Sequence, residues 1–272
     1  MDLYKWAPFD GIDGFEIKGI YANDYSGWSV SSAGDVNGDG IDDLIIGAKG
    51  ANANAGESYV VYGSDTRSTA ELDLSDLNGT NGFKINGINT YDLVGTSVSS
   101  AGDMNGDGID DIIIGGPSNN PDQSSGAGES YVVYGSDTRS ESELDLSSLN
   151  GINGFKINGI ERLSLSGSSV SSAGDVNGDG LDDIIIAAPK ANASYVVFGS
   201  DTKKTAELDL SSLDGTNGFQ INGEYSSSVS SAGDVNGDGL DDIIIGQHIS
   251  SPDAEVYQCK GEVGNGYDKW KP

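Results

Sequence analysis

Asp35, Asn37, Asp39 and Asp43 place four oxygen-bearing side chains within nine residues, in the order Asp-x-Asn-x-Asp-Gly-x-x-Asp. Three carboxylates so close together repel one another, and alternating oxygen donors around a glycine turn suit a hard dication such as Ca2+, which takes about 6 to 8 oxygens. Numbered from Asp35, the candidate ligands are the side chains at positions 1, 3, 5 and 9 and the carbonyl of Ile41 at position 7, while Gly40 at position 6 permits the sharp turn. The same spacing returns as Asp103, Asn105, Asp107, Ile109 and Asp111, as Asp175, Asn177, Asp179, Leu181 and Asp183, and as Asp234, Asn236, Asp238, Leu240 and Asp242. An EF-hand needs a bidentate Glu at position 12. Here position 12 is Ile46, Ile114, Ile186 or Ile245, so the loops run straight into apolar strands and the helices of an EF-hand are excluded. One ion per loop makes about four Ca2+ the expected cofactor complement.

Other chemistry finds little material. His248 and Cys259 are single members of their types, so a Ser-His-Asp or Cys-His mechanism would hang on one imidazole, and no catalytic residue is expected. Carboxylates are too numerous for any pair to signal acid/base work. Asp42, Asp110, Asp182 and Asp241, at position 8 of each loop, are expected to be turn or solvent residues. Arg67 and Arg139 recur at matching positions, which argues for scaffold use. Trp6, Trp28 and Trp270 lie outside the repeated core; covering gaps or the closure is the expected role, with sugar stacking the alternative.

The loops belong to a longer repeat. GDVNGDGIDDLIIG at Gly34 returns at Gly102, Gly174 and Gly233, that is, 68, 72 and 59 residues apart. Around each copy the order is FxIxG, a variable stretch, SxSVSSAGD, the acidic loop, an Ile-rich run, a second variable stretch and a YVVYG-like run, degenerate as AEVYQ in the last copy. These are short β-like segments between Gly, Asn and Asp turns, without the 3.6-residue period of a core helix. ELDLSDL at 71–77 and its copies suit a short helical turn or an extra strand. Four strands per unit of this size match a propeller blade. The expected fold is therefore all-β: a four-bladed β-propeller of four-stranded antiparallel blades, closed by the N-terminal FEIKG strand pairing with the last blade. It is a single domain over 1–272, with blade 1 at about 21–88, blade 2 at 89–160, blade 3 at 161–223, and blade 4 at 224–272 plus strand 13–20.

On these motifs the chain resembles FG-GAP repeats, the blades of the integrin α-subunit propeller. The GAP element survives loosely as GAK at 47–49, GGP at 115–117 and AAP at 187–189, and becomes GQH at 246–248; the Phe-Gly element is replaced by SGW, VGT, SGS and YSS. The resemblance covers about residues 15–258 and implies the same calcium ligands that the spacing suggests. The family usually closes with seven blades, whereas four repeats are visible here; a four-repeat excerpt of a larger propeller is the competing reading, and two chains making an eight-bladed ring would also use all the strands. It also implies a ligand-meeting face. The variable connections 20–28, 88–96, 160–168 and 223–227, and the second set 48–56, 116–128, 188–193 and 247–254, are expected to emerge together, opposite the calcium loops.

Composition excludes several partners. Lys plus Arg is 14 against 43 Asp plus Glu, a formal charge of −29, so neither nucleic acid nor an anionic membrane surface is an expected partner. No apolar run approaches the length of a membrane span, and the N-terminus lacks the pattern of a classical signal peptide. The expected protein is a non-enzymatic, calcium-binding recognition or adhesion module of an exported or surface protein, contacting protein or glycan through its variable loops. A purely structural module of a larger adhesin and a propeller-based polysaccharide-acting enzyme are the alternatives. A monomer is expected, a homodimer possible.

Overall fold

A computed structural model describes residues 14–66, 69–118, 126–202, 205–223, 226–247 and 256–259. Trp6, Trp270, Arg67, His248 and the side chain of Cys259 lie outside the described residues, as do parts of the variable connections. Before the first full repeat comes β1 (Glu16–Lys18); the first repeat then supplies β2 (Ser29–Gly34), β3 (Asp43–Ala48), β4 (Glu57–Val61), β5 (Glu71–Asp73) and β6 (Gly82–Asn86). The second supplies β7 (Ser97–Gly102), β8 (Asp111–Gly116), β9 (Glu129–Val133), β10 (Glu143–Asp145) and β11 (Gly154–Asn158). The third supplies β12 (Ser169–Gly174), β13 (Asp183–Ala188), β14 (Ala193–Val197), β15 (Glu207–Asp209) and β16 (Gly218–Asn222), and the fourth β17 (Ser226–Gly233), β18 (Asp242–Gln247) and β19 (Val256–Cys259).

Each of the first three repeats folds into an antiparallel, blade-like sheet in the order inner serine strand, Ile-rich strand, Tyr-Val-Val strand, FKIN strand, and the fourth supplies the first three of these among the described strands. The Ile-rich strand is apolar on both faces because a neighbouring sheet lies against each: β8 and β13 are buried along their whole length. The Leu-rich segment is both things its sequence allows, a three-residue strand followed by a 3-10 turn such as Leu74–Asp76. Its strand adds in parallel to an FKIN strand of the preceding sheet: β10 pairs with β6 and β15 with β11. Lys84 and Lys156 then each bridge a glutamate of their own repeat and one of the next.

Three junctions between successive sheets hold the core. At the first, Ile45, Val60 and Phe83 meet Ile112, Ile114 and Tyr131. The second places Ile113, Val132 and Phe155 against Ile184, Ile186 and Tyr195, and the third sets Ile185 and Val196 against Val229, Ile243 and Ile245. The inner serines cross the junctions as their alternation suggests. Val98 N–H donates to Ser29 Oγ at 3.1 Å, and Val229 N–H to Ser169 Oγ at 3.2 Å.

The expected closure is not made. β1 pairs in parallel with β5, Glu16 opposite Glu71, and Lys18 Nζ lies 2.6 Å from Glu71. β19 pairs with β18 alone among the described strands, leaving the fourth sheet with three strands and the arc of sheets open. The physical reason lies in the two edges of an FKIN strand. One takes the parallel Glu-Leu-Asp strand that follows it, and β1 makes this contact; the other takes a Tyr-Val-Val strand, and β19 is not brought round to supply it.

Candidate metal-binding loops

A β-bulge ends each serine strand and aims the chain into the acidic loop. The bulged glycine adopts a positive φ, 73° at Gly34, and a Cβ there would stand 2.2 Å from the Asp110 carboxylate of the next sheet, so glycine is required on both counts. Beyond it, Asp35 Oδ1 and Oδ2 accept the N–H groups of Asp39 and Gly40 at 3.0 and 2.8 Å. Asn37 Oδ1 also accepts Asp39 N–H at 2.8 Å, and Asp39 Oδ1 accepts Ile41 N–H at 2.9 Å. Gly40 holds φ +86°, as the turn at position 6 demands. The bonds from position 1 to the loop amides recur in the other three loops.

Position 9 is different. Asp43, Asp111, Asp183 and Asp242 are fully buried. In the first loop Asp43 Oδ2 accepts Val36 N–H at 3.0 Å and Oδ1 accepts Gly63 N–H at 2.7 Å, tying the loop to the end of β4. Asp111 and Asp183 repeat both bonds. Burial pushes their carboxyls up, to about 6 for Asp43, about 8 for Asp111 and about 7 for Asp183, against the pull of those backbone donors; the carboxylates at positions 1 and 5 add to the rise.

The donor set fits a hard cation in kind: all-oxygen, three carboxylates per loop, and none of them in an ion pair among the described residues. Its side chains are not gathered into a ready cage, however. Among the described residues no three acidic, His or Cys side chains converge as a metal cluster, because the loop carboxylates turn toward backbone N–H groups.

The position 8 aspartates have a role that spacing did not reveal. Asp35 N–H donates to Asp110 Oδ2 at 2.8 Å, Asp103 N–H to Asp182 Oδ2 at 2.9 Å, and Asp175 N–H to Asp241 Oδ2 at 2.9 Å. Each is a lock from one repeat to the loop of the repeat before it, so the expectation of turn or solvent residues is corrected for these three. The missed signal was the Asp-Asp doublet kept in all four loops. Burial raises the Asp182 carboxyl, and Asp110 and Asp241 nearby raise it further. Position 7 side chains also cross the junctions: Ile109 reaches Gly38, and Leu181 reaches Gly106.

In the first three repeats the described parts of the two sets of variable connections share the opposite face. Gly50 N–H donates to Asp24 O at 3.0 Å, Ser118 to Asp92 O at 3.3 Å and Lys190 to Ser164 O at 3.1 Å, joining one set to the other in three repeats. On this face Trp28 is 54% exposed, with Lys49 Nζ 3.0 Å from its ring centroid and Tyr25 edge-on at 6.2 Å. Arg139 is not a loop cation; it lies half-buried over the Phe83 ring at 4.7 Å and donates to Tyr134 O, a scaffold position.

Residues 26–61, 94–133, 166–199 and 226–254 match the FG-GAP repeat family. The chain is 31% identical over 248 residues to integrin alpha pat-2 of Caenorhabditis elegans, covering 83% of this chain and 18% of that protein. It is 27% identical to integrin alpha-V of Gallus gallus over 90% of this chain and 22% of that protein. Phosphatidylinositol-glycan-specific phospholipase D of Bos taurus is 31% identical over 61% of this chain and 19% of its own length. The chain thus spans about a fifth of the length of the curated relatives it matches.

Proposed function

Because the chain belongs to the FG-GAP repeat family, we propose that it is a calcium-stabilised, non-enzymatic recognition or adhesion module of an exported or surface protein. Its ligand is protein or glycan, taken up on the face of the variable connections. The observation that carries this reading is the division of labour between the two ends of the sheets. At one end four near-identical loops lock repeat to repeat; at the other the connections differ in sequence while being tied together, which is how binding loops are carried on a rigid scaffold. Similarity to integrin alpha chains supports the adhesion reading.

In this reading each loop holds one Ca2+, with Asp35, Asn37, Asp39, Asp43 and the Ile41 carbonyl as ligands in the first and their counterparts in the others. The ion supplies charge neutralisation and a cross-link between two strands. The loop carboxylates exchange backbone donors for the cation, which offsets the burial, and the smaller repulsion, that raise the Asp43, Asp111 and Asp183 carboxyls. Among the described residues no helix is long and apolar enough to cross a membrane.

The test is a panel of glycans and extracellular-matrix proteins probed with the labelled chain in millimolar calcium and again in chelator. Calcium-dependent capture of a related set of ligands, lost in Trp28→Ala or in substitutions of 88–96, supports the reading. A blank panel with a fold that still binds calcium favours the second reading, a structural module, to which the repeated junctions also belong.

A further inference from the structure

The three junctions bury the same positions each time. On the first-facing side of a sheet these are Val98 and Ile112, Val170 and Ile184, and Val229 and Ile243, none more than 6% exposed. On the far side they are Val36 and Ile45, Met104 and Ile113, and Val176 and Ile185, at 7% or less. The two ends of the arc carry the same sets uncovered. In the first repeat Val30 is 66% and Leu44 38% exposed, above an apolar groove that also touches Ile17, Ile46 and Leu74. In the fourth, Val235 is 56% and Ile244 39% exposed. The polar lock is split in the same way: Asp42 offers a carboxylate and Asp234 an N–H, and neither has a hydrogen-bond partner among the described residues at the position where its three counterparts are joined. The β-edges match as well, since among the described strands β1 has no Tyr-Val-Val neighbour and β19 no FKIN neighbour.

We infer that these faces meet between two copies of this chain, head to tail, the first repeat of each packing on the fourth repeat of the other. The occupant is a second copy because each face is the counterpart of the other and the chain's own ends are not joined. A heterologous contact of this kind closes into a ring when its rotation allows. Two copies bring eight sheets, within the range of closed blade rings, whereas three would exceed it. Asp42 of each copy then takes up Asp234 N–H of the other, and β1 adds to the edge of β19.

Light scattering on the full chain in calcium and about 0.15 M salt, which screens the repulsion between the two −29 charges, reads the outcome. The expected mass is twice the 28.0 kDa of one chain. Val30→Asp and Ile244→Asp alter side chains exposed on the single chain, so each folds as the parent does. Each alone is expected at the mass of one chain. Mixed, they recover double mass, because the Ile244→Asp copy still offers an intact first face to the intact fourth face of the Val30→Asp copy. A single-chain mass for the parent at all concentrations, a double mass kept by either variant alone, a mixture that stays single, or a mass of three or more chains overturns the inference. Ligand capture is not read in this experiment, so it stands or falls apart from the recognition role.

Discussion

Asp182 carries more structural consequence than its place in a polar loop suggests, because its carboxylate is the acceptor for Asp103 N–H across a junction. Asp182→Ala leaves that buried donor unsatisfied and is expected to cost about 1–2 kcal/mol in denaturant unfolding, while Asp182→Asn, which keeps an acceptor oxygen, costs less. Asp42→Ala on dilute protein is expected to change the midpoint little, since Asp42 has no partner within the chain among the described residues. Buried serines give the opposite sign. Ser58, Ser130 and Ser194 occupy matching places on β4, β9 and β14, are buried, and their hydroxyls have no hydrogen-bond partner among the described residues. Ser130→Ala is therefore expected to be neutral or stabilising by up to about 1 kcal/mol, measured the same way. Asp92 adds a pH dependence. It is buried, one of its carboxylate oxygens has no partner among the described residues, and burial pushes its carboxyl up to about 6 despite bonds from Asn89. A carboxyl raised in the folded state favours folding when protonated; that contribution is complete below the unfolded value of 3.8 and is lost as pH rises through about 6. Asp92→Asn is expected to raise stability at pH 7 by on the order of 1 kcal/mol, read as a higher melting temperature, with the gain vanishing near pH 4. A gain equal at both pH values would remove the charge from the explanation.

At the scale of an element, the close approach of two sheets is set by one residue of the Ile-rich strand. A Cβ on Gly115 would lie 2.0 Å from Gly167 O, as one on Gly47 would lie 2.1 Å from Gly95 O. Gly115→Ala must push the third repeat's connection away, and the expected cost is about 1–3 kcal/mol, read as a lower unfolding midpoint with unchanged far-ultraviolet circular dichroism. The third repeat has Ala187 at this place, and in sequence the corresponding connection of the fourth repeat, 223–227, is shorter and lacks a counterpart of Gly95 and Gly167. The loop element carries the calcium prediction. Chelation is expected to lower the melting temperature by several degrees, because an ion well above its dissociation constant stabilises the folded state by a few kcal/mol. Asp39→Asn should weaken calcium affinity with little change to the apo melt, since Asp39 is exposed and accepts only a local N–H. An apo melt and a calcium melt that coincide for the parent chain would sink the calcium role.

At the scale of the molecule, charge and junctions decide. Four bound Ca2+ would bring the formal charge from −29 to −21, still acidic enough to keep copies apart except where apolar faces match. Repeat stability of this kind is a sum of sheets and nearest-neighbour junctions, so in the single chain, on dilute protein, the two end sheets, each with part of one face exposed, are expected to exchange amide protons faster than the second and third, and pairing of copies is expected to even out the difference. Protection spread evenly from β3 to β18 would mean that the end faces are covered.

The sequence by itself determined the local grammar. A repeat of Asp-x-Asn-x-Asp-Gly-x-x-Asp at fixed distance from a serine strand and an Ile-rich strand specifies a β-hairpin with an acidic loop, because period-two burial and glycine turns are properties of neighbouring residues. It also marked the variable connections and their common face, since strand parity settles which loops emerge together. Tertiary structure alone decided what each aspartate holds and how the ends are left. Asp110 and Asp35 are 75 residues apart in the chain, and the bond between them exists only because a neighbouring sheet packs at a given angle and distance. The same is true of β1, whose FEIKG pattern is that of any fourth strand. Which of its two edges finds a partner depends on the rotation accumulated over three junctions, a sum of small packing angles that no single repeat encodes.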